Sequence, residues 1–450
     1  MCSSIEALNT DFYQITMAAA YHAHGMNGQA TFSLFAHDLP PTRGYLVLAG
    51  LEQALDYLEE FRFTPEEIDY LRSLERFRPE FLEFLSQVRF TGEVWAPPEG
   101  TVLFAEQPLL EVTAPIIEAQ LVETCLINIL NLHSMLASKA ARCVQAAGGR
   151  NCIDFSLRRT QGIDAGLAVA RSSALVGFVG TSNVAAARRF GITPVGTMAH
   201  SFVEAFGDEM KAFEAFAATF PDNTVLLVDT YESVSGLHNA VALAKRLAEK
   251  GHQLVGVRLD SGDLAAMSRR ARTLLDSAGL EQARVVVSGS LDELRIQKLL
   301  EQGAQVDSFG IGTRMGSSAD APYFDLAYKL VSYEGRPTLK LSSGKETWAG
   351  AKQIFRHYDD QGIITRDVLG LRDEEQEGRP LLEPVMRQGG RLGPRRDWRA
   401  AREVFQAEVA TLPPACLELA HPVPLRTEIS PRLRELQDDT RKAALKARVG

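Results

Sequence analysis

Four apolar runs in the middle of the chain alternate with amphipathic helical stretches, and each run ends in a small polar residue or an aspartate. The runs cover residues 225–229, 254–260, 284–290 and 306–313. Strands that alternate with helices predict a parallel sheet, and in a (β/α) barrel the functional groups collect where the strands end. The pattern therefore predicts an α/β domain whose active-site rim is formed by the residues that close these runs.

The pattern before residue 116 is that of a smaller α+β unit. Thr64, Pro65 and Glu67 predict a helix start, because Thr caps the helix, proline fits its first position and Glu completes a capping box. Alternating apolar residues over 92–114 predict short strands joined by a turn at 96–100.

The parts of the chain on either side of the alternating region have a different pattern. A helical segment is predicted over 116–147, and apolar runs at 327–333 and 337–342 predict a β-hairpin. Residues 378–396 are dense in Arg, Gly and Pro, which predicts a flexible, exposed connection. With 450 residues, the chain is long enough for two domains.

Composition narrows the function classes. Hydrophobic residues make up 45% and charged residues 23% of the chain, which is typical of a globular protein, and no stretch approaches the ~20 apolar residues of a membrane helix. Residues 1–6 lack the basic and apolar regions of a signal peptide, so we expect a cytoplasmic protein with no membrane partner. A formal net charge of -9 argues against general nucleic-acid binding.

The second run continues into Asp260-Ser261-Gly262-Asp263, which combines backbone N–H groups, a hydroxyl and two carboxylates at the start of a helix. Such a turn can hold a ribose diol or a metal ion bound to phosphate oxygens. The alternative is that Asp263 only caps the helix. Arg258 lies two residues before Asp260, so both side chains are expected on one face of the strand, either as site residues or as a structural ion pair.

Two further strand ends carry turns of small residues, Ser288-Gly289-Ser290 and Gly310-Ile311-Gly312-Thr313. Backbone amides in such turns can approach a phosphate closely, and barrels often bind phosphate after their last strands. The alternative is a tight strand-to-helix turn that needs glycine for its backbone angles. Neither turn is a P-loop or a dinucleotide fingerprint.

A histidine, His200, follows the short apolar run 192–195, and its small apolar neighbours favour a core histidine over a catalyst.

In this order, the motifs resemble those of the nicotinate phosphoribosyltransferases and of the related nicotinamide enzymes. The resemblance extends to about residue 345 and rests on residues 10–14, 44–45, 49–52, 155–159, 196–201, 228–231, 258–263 and 310–313. It implies the type II phosphoribosyltransferase fold. That fold is an irregular (β/α) barrel, here 131–324, and a second α/β (α+β) domain made from the N-terminal segment 1–130 and the C-terminal segment 325–450.

The resemblance also implies a reaction. The ring nitrogen of nicotinate attacks C1 of phosphoribosyl pyrophosphate and displaces pyrophosphate, which gives nicotinate mononucleotide in NAD salvage. In such enzymes ATP phosphorylates a histidine, and His200 lies at that motif position, with Asp229 expected to orient its ring. Asp260 and Asp263 are expected where charge develops at C1 and where Mg²⁺ binds.

The nicotinate site follows from the same resemblance. Tyr13 and Phe155 would sandwich the pyridine ring, and Arg258 would face its carboxylate. Ser182 lies where nicotinamide-specific relatives carry an aspartate. Because an aspartate would repel a carboxylate and a serine would not, we expect nicotinate rather than nicotinamide.

The remaining implied roles concern the donor and the assembly. Arg158 and Arg159 would bind the donor's phosphates, and a cradle for the ribose phosphate would be formed by Ser288, Gly289, Gly310, Gly312 and Thr313. Family members form homodimers with shared active sites, so Tyr13 would come from the partner subunit. Two other functions stay open: transfer to nicotinamide or another pyridine acid, and a non-catalytic nucleotide-binding paralogue.

Overall fold

The computed structural model describes residues 5–341 and 347–446. Residues 1–4, part of the segment that predicts no signal peptide, and Ser342, the expected end of the hairpin, lie outside the described residues. The chain divides into two compact units. One comprises the residues up to Met135 together with those from Tyr323 onward, and the other is Leu136–Pro322. The domain limits expected from the sequence were 131 and 324.

The helices and strands follow the chain in three groups. The first contains α1 (Phe12–Ala23), β1 (Gln29–Ala36), β2 (Leu46–Val47), α2 (Leu51–Glu60), α3 (Pro65–Ser73), α4 (Pro79–Gln87), β3 (Glu93–Ala96), β4 (Val102–Leu103), β5 (Pro108–Pro115), α5 (Ile116–Leu121) and α6 (Glu123–Ala147). The second contains β6 (Asn151–Asp154), α7 (Ile163–Val176), β7 (Gly180–Thr181), α8 (Val184–Phe190), α9 (His200–Phe206), α10 (Glu209–Thr219), β8 (Val225–Leu227), α11 (Ser233–Glu249), β9 (Gly256–Leu259), α12 (Leu264–Ser277), β10 (Arg284–Ser288), α13 (Glu293–Glu301), β11 (Ser308–Ile311) and α14 (Thr313–Gly316), with 3-10 helices at Leu157–Arg159 and Pro221–Asn223. The third contains β12 (Leu326–Tyr333), β13 (Arg336–Pro337), β14 (Lys352–Tyr358), β15 (Ile364–Leu371), β16 (Arg379–Pro380), β17 (Glu383–Arg387), β18 (Gly390–Arg391), α15 (Trp398–Val409), α16 (Pro414–Leu417), β19 (Thr427–Ile429) and α17 (Pro431–Lys446). None of the helices within the described residues is long and apolar enough to cross a membrane.

A parallel sheet is the frame of the unit Leu136–Pro322. Within these residues, all of which the structure describes, six strands pair in the order β7-β6-β11-β10-β9-β8. The register places Val286 of β10 opposite Arg258 of β9 and Ser308 of β11. The sheet curls into a half-barrel, so the predicted α/β barrel class is confirmed. Because the strands run in one direction, their carboxyl ends lie along a single edge.

The four strands predicted first are present but shorter than predicted. β8 ends at Leu227, β9 at Leu259, β10 at Ser288 and β11 at Ile311. The polar residues that follow use their backbone groups in turns. For example, the Asp260 N–H donates to the Asp229 carboxylate at 2.8 Å instead of to a neighbouring strand. Apolar alternation alone does not reveal where the strand pairing stops.

Capping side chains fix how the chain leaves these strand ends. Asn183 accepts a hydrogen bond from the Ala186 N–H at 3.1 Å, and Asp292 accepts one from the Arg295 N–H at 2.9 Å. Each bond satisfies an N–H that the first helical turn leaves without a partner. The loops after the strands therefore have defined directions at the edge where the predicted site residues lie.

The other unit is built from strands of both chain ends. Over the described residues its larger sheet has the order β13-β12-β1-β5-β3-β17-β18. β1 pairs antiparallel with β12 on one side and with β5 on the other, and β3 pairs with β5 and β17. A second sheet has the order β16-β14-β15-β19, and β2 pairs with β4. The N-terminal and C-terminal segments thus share one sheet.

Several local predictions for this unit can be compared with the structure. The capping box at Thr64 and Glu67 is confirmed. The hairpin is present, with Tyr333 opposite Arg336, but its second strand is Arg336–Pro337 and does not continue through the described residues 338–341. The helical segment 116–147 is interrupted at Val122, between α5 and α6. The predicted turn at 96–100 follows β3, but β4 beyond it pairs with β2 instead of β3.

Most residues of 378–396 are exposed, as predicted, but the segment is not an irregular connection. β16, β17 and β18 lie there, and β17 pairs with β3. The Arg391 side chain is 9% exposed and forms ion pairs with Glu52, Asp56 and Glu59. Arg391 thus binds carboxylates of α2 instead of water, and composition alone does not reveal such a partner.

Candidate active site

The end of β9 places Arg258 in a polar cluster. Its Nε donates to Ser288 Oγ at 3.0 Å, and its Nη1 donates to Thr197 Oγ1 at 3.0 Å and to the Met198 carbonyl at 3.1 Å. Its Nη2 lies 3.2 Å from Asp260 Oδ1. The ion pair between Arg258 and Asp260, one of the two alternatives considered from the sequence, is therefore present. Three further contacts fix the guanidinium. A cation held in one orientation at a strand end can receive an anionic group.

Asp260 completes the charged pair at this edge. Burial raises the pKa of its carboxyl, but a hydrogen bond from the Ser288 hydroxyl and the charge of Arg258 outweigh burial and hold the pKa below its ordinary value. The carboxyl group is therefore ionised at neutral pH. Its Oδ2 lies 4.0 Å from His200 Nε2, so a carboxylate and an imidazole face each other.

His200 is the first residue of α9. Its side chain is 39% exposed, and its Nδ1 lies 3.2 Å from Thr230 Oγ1. This exposure contradicts the interpretation as a core histidine. One ring nitrogen faces Thr230 and the other faces Asp260, so the ring is oriented and also accessible to a ligand.

The predicted contact between Asp229 and the His200 ring is wrong. Asp229 Oδ2 instead accepts three hydrogen bonds, from the Asp260 N–H, the Ser261 N–H and the Ser261 hydroxyl, each at 2.8 Å. Asp229 therefore holds the turn after β9. Thr230, the next residue, contacts the His200 ring, and sequence reasoning missed it. The N–H groups of Asp260 and Ser261 need an acceptor, and the sequence does not show that Asp229 supplies it.

Phe155 follows β6, and its N–H donates to the Ile311 carbonyl at 2.8 Å. The Cζ atom of Arg258 lies 5.7 Å from the centroid of its ring, within the range of a cation–π contact. Gly310 makes room for this ring, because a Cβ atom there would lie 2.5 Å from the ring's Cε2. Gly310 thus serves the packing of an aromatic ring, a role that sequence reasoning did not consider.

The turn after β10 requires glycine for its backbone angle and for a close approach. Gly289 has a φ of +96°, and a Cβ atom there would lie 2.0 Å from the Asp260 carbonyl oxygen. The turn therefore packs directly against the loop of Asp260, while Ser288 contacts Arg258. Gly312 and Thr313 follow β11, and Thr313 begins α14.

Sequence reasoning also missed Asp154, the last residue of β6, which is 1% exposed. Its Oδ1 accepts hydrogen bonds from the Ser156 N–H at 2.9 Å and the Ser156 hydroxyl at 2.5 Å, and its Oδ2 accepts one from the Thr181 hydroxyl at 2.7 Å. Burial raises the pKa of this carboxyl. The Ser182 N–H donates to the Asp154 carbonyl at 2.8 Å, which places Ser182 beside the Phe155 turn. The feature of the sequence that could have pointed to Asp154 is its position as an acidic residue directly before Phe155.

Other predicted residues are not joined to this cluster by any contact between described residues. The Asp263 side chain accepts from the Ala266 N–H at 3.0 Å, so the cap that the sequence left open is present. Arg158 and Arg159 are exposed in the 3-10 helix after Phe155. Tyr13 belongs to the other unit, is 49% exposed, and its hydroxyl lies 3.5 Å from Glu123 Oε1.

The described residues contain no group of three or more His, Cys, Asp or Glu side chains that could hold a metal ion. Mg²⁺ commonly binds through one or two carboxylates together with substrate phosphates. Asp260 suits such a role, since it is ionised and its Oδ2 lies outside the bonds to Arg258 and Ser288.

Two consecutive stretches of the chain match models of known protein families. The model of the nicotinate phosphoribosyltransferase (NAPRTase) N-terminal domain matches residues 8–131, and that of the nicotinate phosphoribosyltransferase (NAPRTase) family matches residues 150–350. A nicotinate phosphoribosyltransferase of Mycobacterium tuberculosis is 47% identical over 98% of this chain and 96% of its own. One from Bacillus subtilis is 41% identical over 84% of this chain and 79% of its own.

A solved structure agrees with these matches. The crystal structure of human nicotinic acid phosphoribosyltransferase superimposes with a TM-score of 0.86 and 30% sequence identity, covering 96% of this chain and 99% of the human chain. Sequence similarity over almost the whole length and a shared fold lead to the same conclusion: the chain belongs to the nicotinate phosphoribosyltransferase family.

Proposed function

We propose that this protein transfers the phosphoribosyl group of phosphoribosyl pyrophosphate to nicotinate, giving nicotinate mononucleotide and pyrophosphate in NAD salvage. The observation that carries the proposal is the Arg258 guanidinium, which lies 5.7 Å from the centroid of the Phe155 ring and beside the ionised Asp260. An aromatic face next to a fixed guanidinium suits a planar pyridine acid. Membership of the family supports the same reaction.

Nicotinate would pair its carboxylate with Arg258 and pack its ring against Phe155. A neutral amide pairs less strongly with a guanidinium, and Ser182 brings no charge that would repel a carboxylate. Both points support nicotinate as the acceptor. In a homodimer, Tyr13 of the partner subunit would cover the second face of the ring.

Asp260 would act where charge changes most. As the bond from C1 to pyrophosphate breaks, its electron pair leaves with pyrophosphate, and the nitrogen lone pair of nicotinate forms the new C1–N bond. A carboxylate next to C1 stabilises the positive charge that develops there. Asp260, and Asp263 three residues further along the same turn, would hold Mg²⁺, which would supply positive charge for the leaving pyrophosphate.

The donor's phosphates need positive charge and N–H donors. Arg158 and Arg159 are exposed just after Phe155, where they can reach an anion. The turns 288–290 and 310–313 would offer backbone N–H groups to the ribose phosphate. These assignments rest on position along one sheet edge.

We assign ATP coupling to His200. An unprotonated ring nitrogen would accept the γ-phosphoryl group of ATP, ADP would leave, and water would later cleave the P–N bond to release phosphate. Thr230, 3.2 Å from Nδ1, and Asp260, whose carboxylate lies 4.0 Å from Nε2, keep the ring at the proposed donor site. Hydrolysis of ATP would then drive the transfer towards product.

Pyrophosphate release tests this function. The assay contains phosphoribosyl pyrophosphate, Mg²⁺ and either nicotinate or nicotinamide, each with and without ATP. We expect release with nicotinate that ATP increases, and little release with nicotinamide. In the same assay His200→Ala should lose ATP hydrolysis and ATP stimulation but keep slow ATP-independent release.

Each other outcome identifies the part of the proposal that fails. A preference for nicotinamide would contradict the acceptor. No release with either acceptor would contradict the enzyme and favour a nucleotide-binding paralogue. Full ATP stimulation in His200→Ala would contradict the role of His200.

A further inference from the structure

We propose that Asp154 is a positioning residue that fixes two loops of the nicotinate subsite at once, the turn of Phe155 and the loop of Ser182. The inference rests on the proposed function, because that function assigns Phe155 and Ser182 to the pyridine ring. It adds a residue that would determine how the two loops are held relative to each other.

The first loop is held on both sides of Phe155. Asp154, just before it, ends β6, and Ser156, just after it, donates its N–H and its hydroxyl to Asp154 Oδ1 at 2.9 and 2.5 Å. The Phe155 N–H itself donates to the Ile311 carbonyl. A change in the backbone direction of Phe155 would break these hydrogen bonds, so they determine where its ring lies.

The second loop is connected through the hydroxyl of Thr181, which lies opposite Asp154 in the pairing of β6 and β7. This hydroxyl donates to Asp154 Oδ2 at 2.7 Å and accepts from the Asn183 N–H at 3.0 Å. Ser182, between them, donates its N–H to the Asp154 carbonyl at 2.8 Å. The position of Ser182 therefore depends on the same residue that anchors Phe155.

The chemistry of Asp154 favours positioning over simple packing. The side chain is 1% exposed, and the described hydrogen-bond donors to its carboxylate, from Ser156 and Thr181, are neutral. A buried carboxylate without a cation is unfavourable, and an apolar residue would fill this space at lower cost. One carboxylate, however, accepts several donors from two loops, which an amide with a single acceptor oxygen does less well.

The test compares Thr181→Val with Thr181→Ser. Valine keeps the branched shape but removes the donor to Asp154 and the acceptor for Asn183, whereas serine retains the hydroxyl. For Thr181→Val we expect the KM for nicotinate to rise on the order of tenfold, and the KM for phosphoribosyl pyrophosphate to stay within about twofold. Thr181→Ser should restore a KM for nicotinate close to that of the wild type.

A KM for nicotinate that is unchanged in Thr181→Val would overturn the proposal. An equal rise of both KM values, or an equal rise in Thr181→Ser, would do the same, since it would indicate a general structural role. If Thr181→Val does not fold, Ser156→Ala removes a different donor to Asp154, and an unchanged KM for nicotinate there also counts against the proposal.

Wild-type protein measured in the same series separates the two levels of inference. If it releases no pyrophosphate with nicotinate, the proposed function fails. If it does and the variants keep the wild-type KM for nicotinate, only the role of Asp154 fails. Thermal unfolding of each variant establishes that the compared proteins are folded.

Discussion

At the scale of single residues, Arg258 makes the most contacts in the candidate site. It binds Ser288, Thr197 and Asp260 through different nitrogen atoms of one planar group. Arg258→Ala should raise the KM for nicotinate strongly, because loss of one partner of a buried charge pair costs about 2–5 kcal/mol. Steady-state kinetics with nicotinate as the varied substrate measures this effect.

Arg258→Lys is the matched control. Lysine keeps the positive charge but lacks the planar fork that makes these contacts together, so we expect a KM for nicotinate between those of the wild type and Arg258→Ala. If Arg258→Ala binds nicotinate as well as the wild type does, the carboxylate binds at another residue.

Residue positions were predictable where strand geometry determines them. The two-residue spacing placed Arg258 and Asp260 on one face, and the structure confirms it with a distance of 3.2 Å between Nη2 and Oδ1. The partner of the His200 ring was not predictable, because Asp229 binds N–H groups of a neighbouring loop and Thr230 takes its expected place. Such a contact depends on how separate loops pack against each other, and a local residue pattern does not predict that packing.

At the scale of elements, the alternation of apolar runs and helices was sufficient to predict the parallel order of the sheet. Strand ends were less predictable, since they depend on side chains from loops of neighbouring strands, as where the Asp260 N–H donates to Asp229. The strands within 378–396 were not predicted for a related reason, because β17 pairs with β3 and Arg391 forms ion pairs with α2. Long-range partners outweigh local composition there.

The turn after β10 gives a prediction at this scale. Gly289→Ala introduces a Cβ atom 2.0 Å from the Asp260 carbonyl oxygen at a φ of +96°. It should lower the free energy of unfolding by more than the about 1–2 kcal/mol that a left-handed backbone conformation costs a residue with a Cβ atom. It should also raise the KM for phosphoribosyl pyrophosphate, because the turn and Asp260 would move apart.

Gly279→Ala is the control for the backbone angle alone. Gly279 has a φ of +74°, and nothing lies within 4 Å of its Cβ position. Denaturant unfolding of both variants separates the two contributions. An equal loss of stability in both would mean that the close approach to Asp260 has no energetic consequence.

At the scale of the whole molecule, the resemblance identified from ordered motifs predicted the fold class and the family correctly. The proposal of a homodimer with shared sites can be tested by complementation. Tyr13→Ala and His200→Ala should each lack ATP-stimulated activity as homodimers. A mixed dimer would contain one site with both residues intact, so coexpression should restore up to about a quarter of the wild-type activity.

Coexpression of Arg258→Ala with His200→Ala is the matched control. Both residues belong to the unit Leu136–Pro322, so each site would take them from the same chain, and no mixed site would be intact. ATP-stimulated pyrophosphate release measures the recovery. Equal recovery in both pairs, or none in either, would contradict a site completed by Tyr13 of the partner.

The order of strands in the larger sheet also has a consequence for biosynthesis. β1 lies between β5 and β12, and β3 lies between β5 and β17, so early strands pair with late ones. During synthesis on the ribosome, β1 and β3 emerge before their partners β12 and β17 have been made, so one edge of each stays unpaired. Residues 136–322 can complete their own sheet during that interval. A nascent chain that stalls before β12 would expose edges prone to aggregation, and chaperone dependence should be greatest in that interval of synthesis.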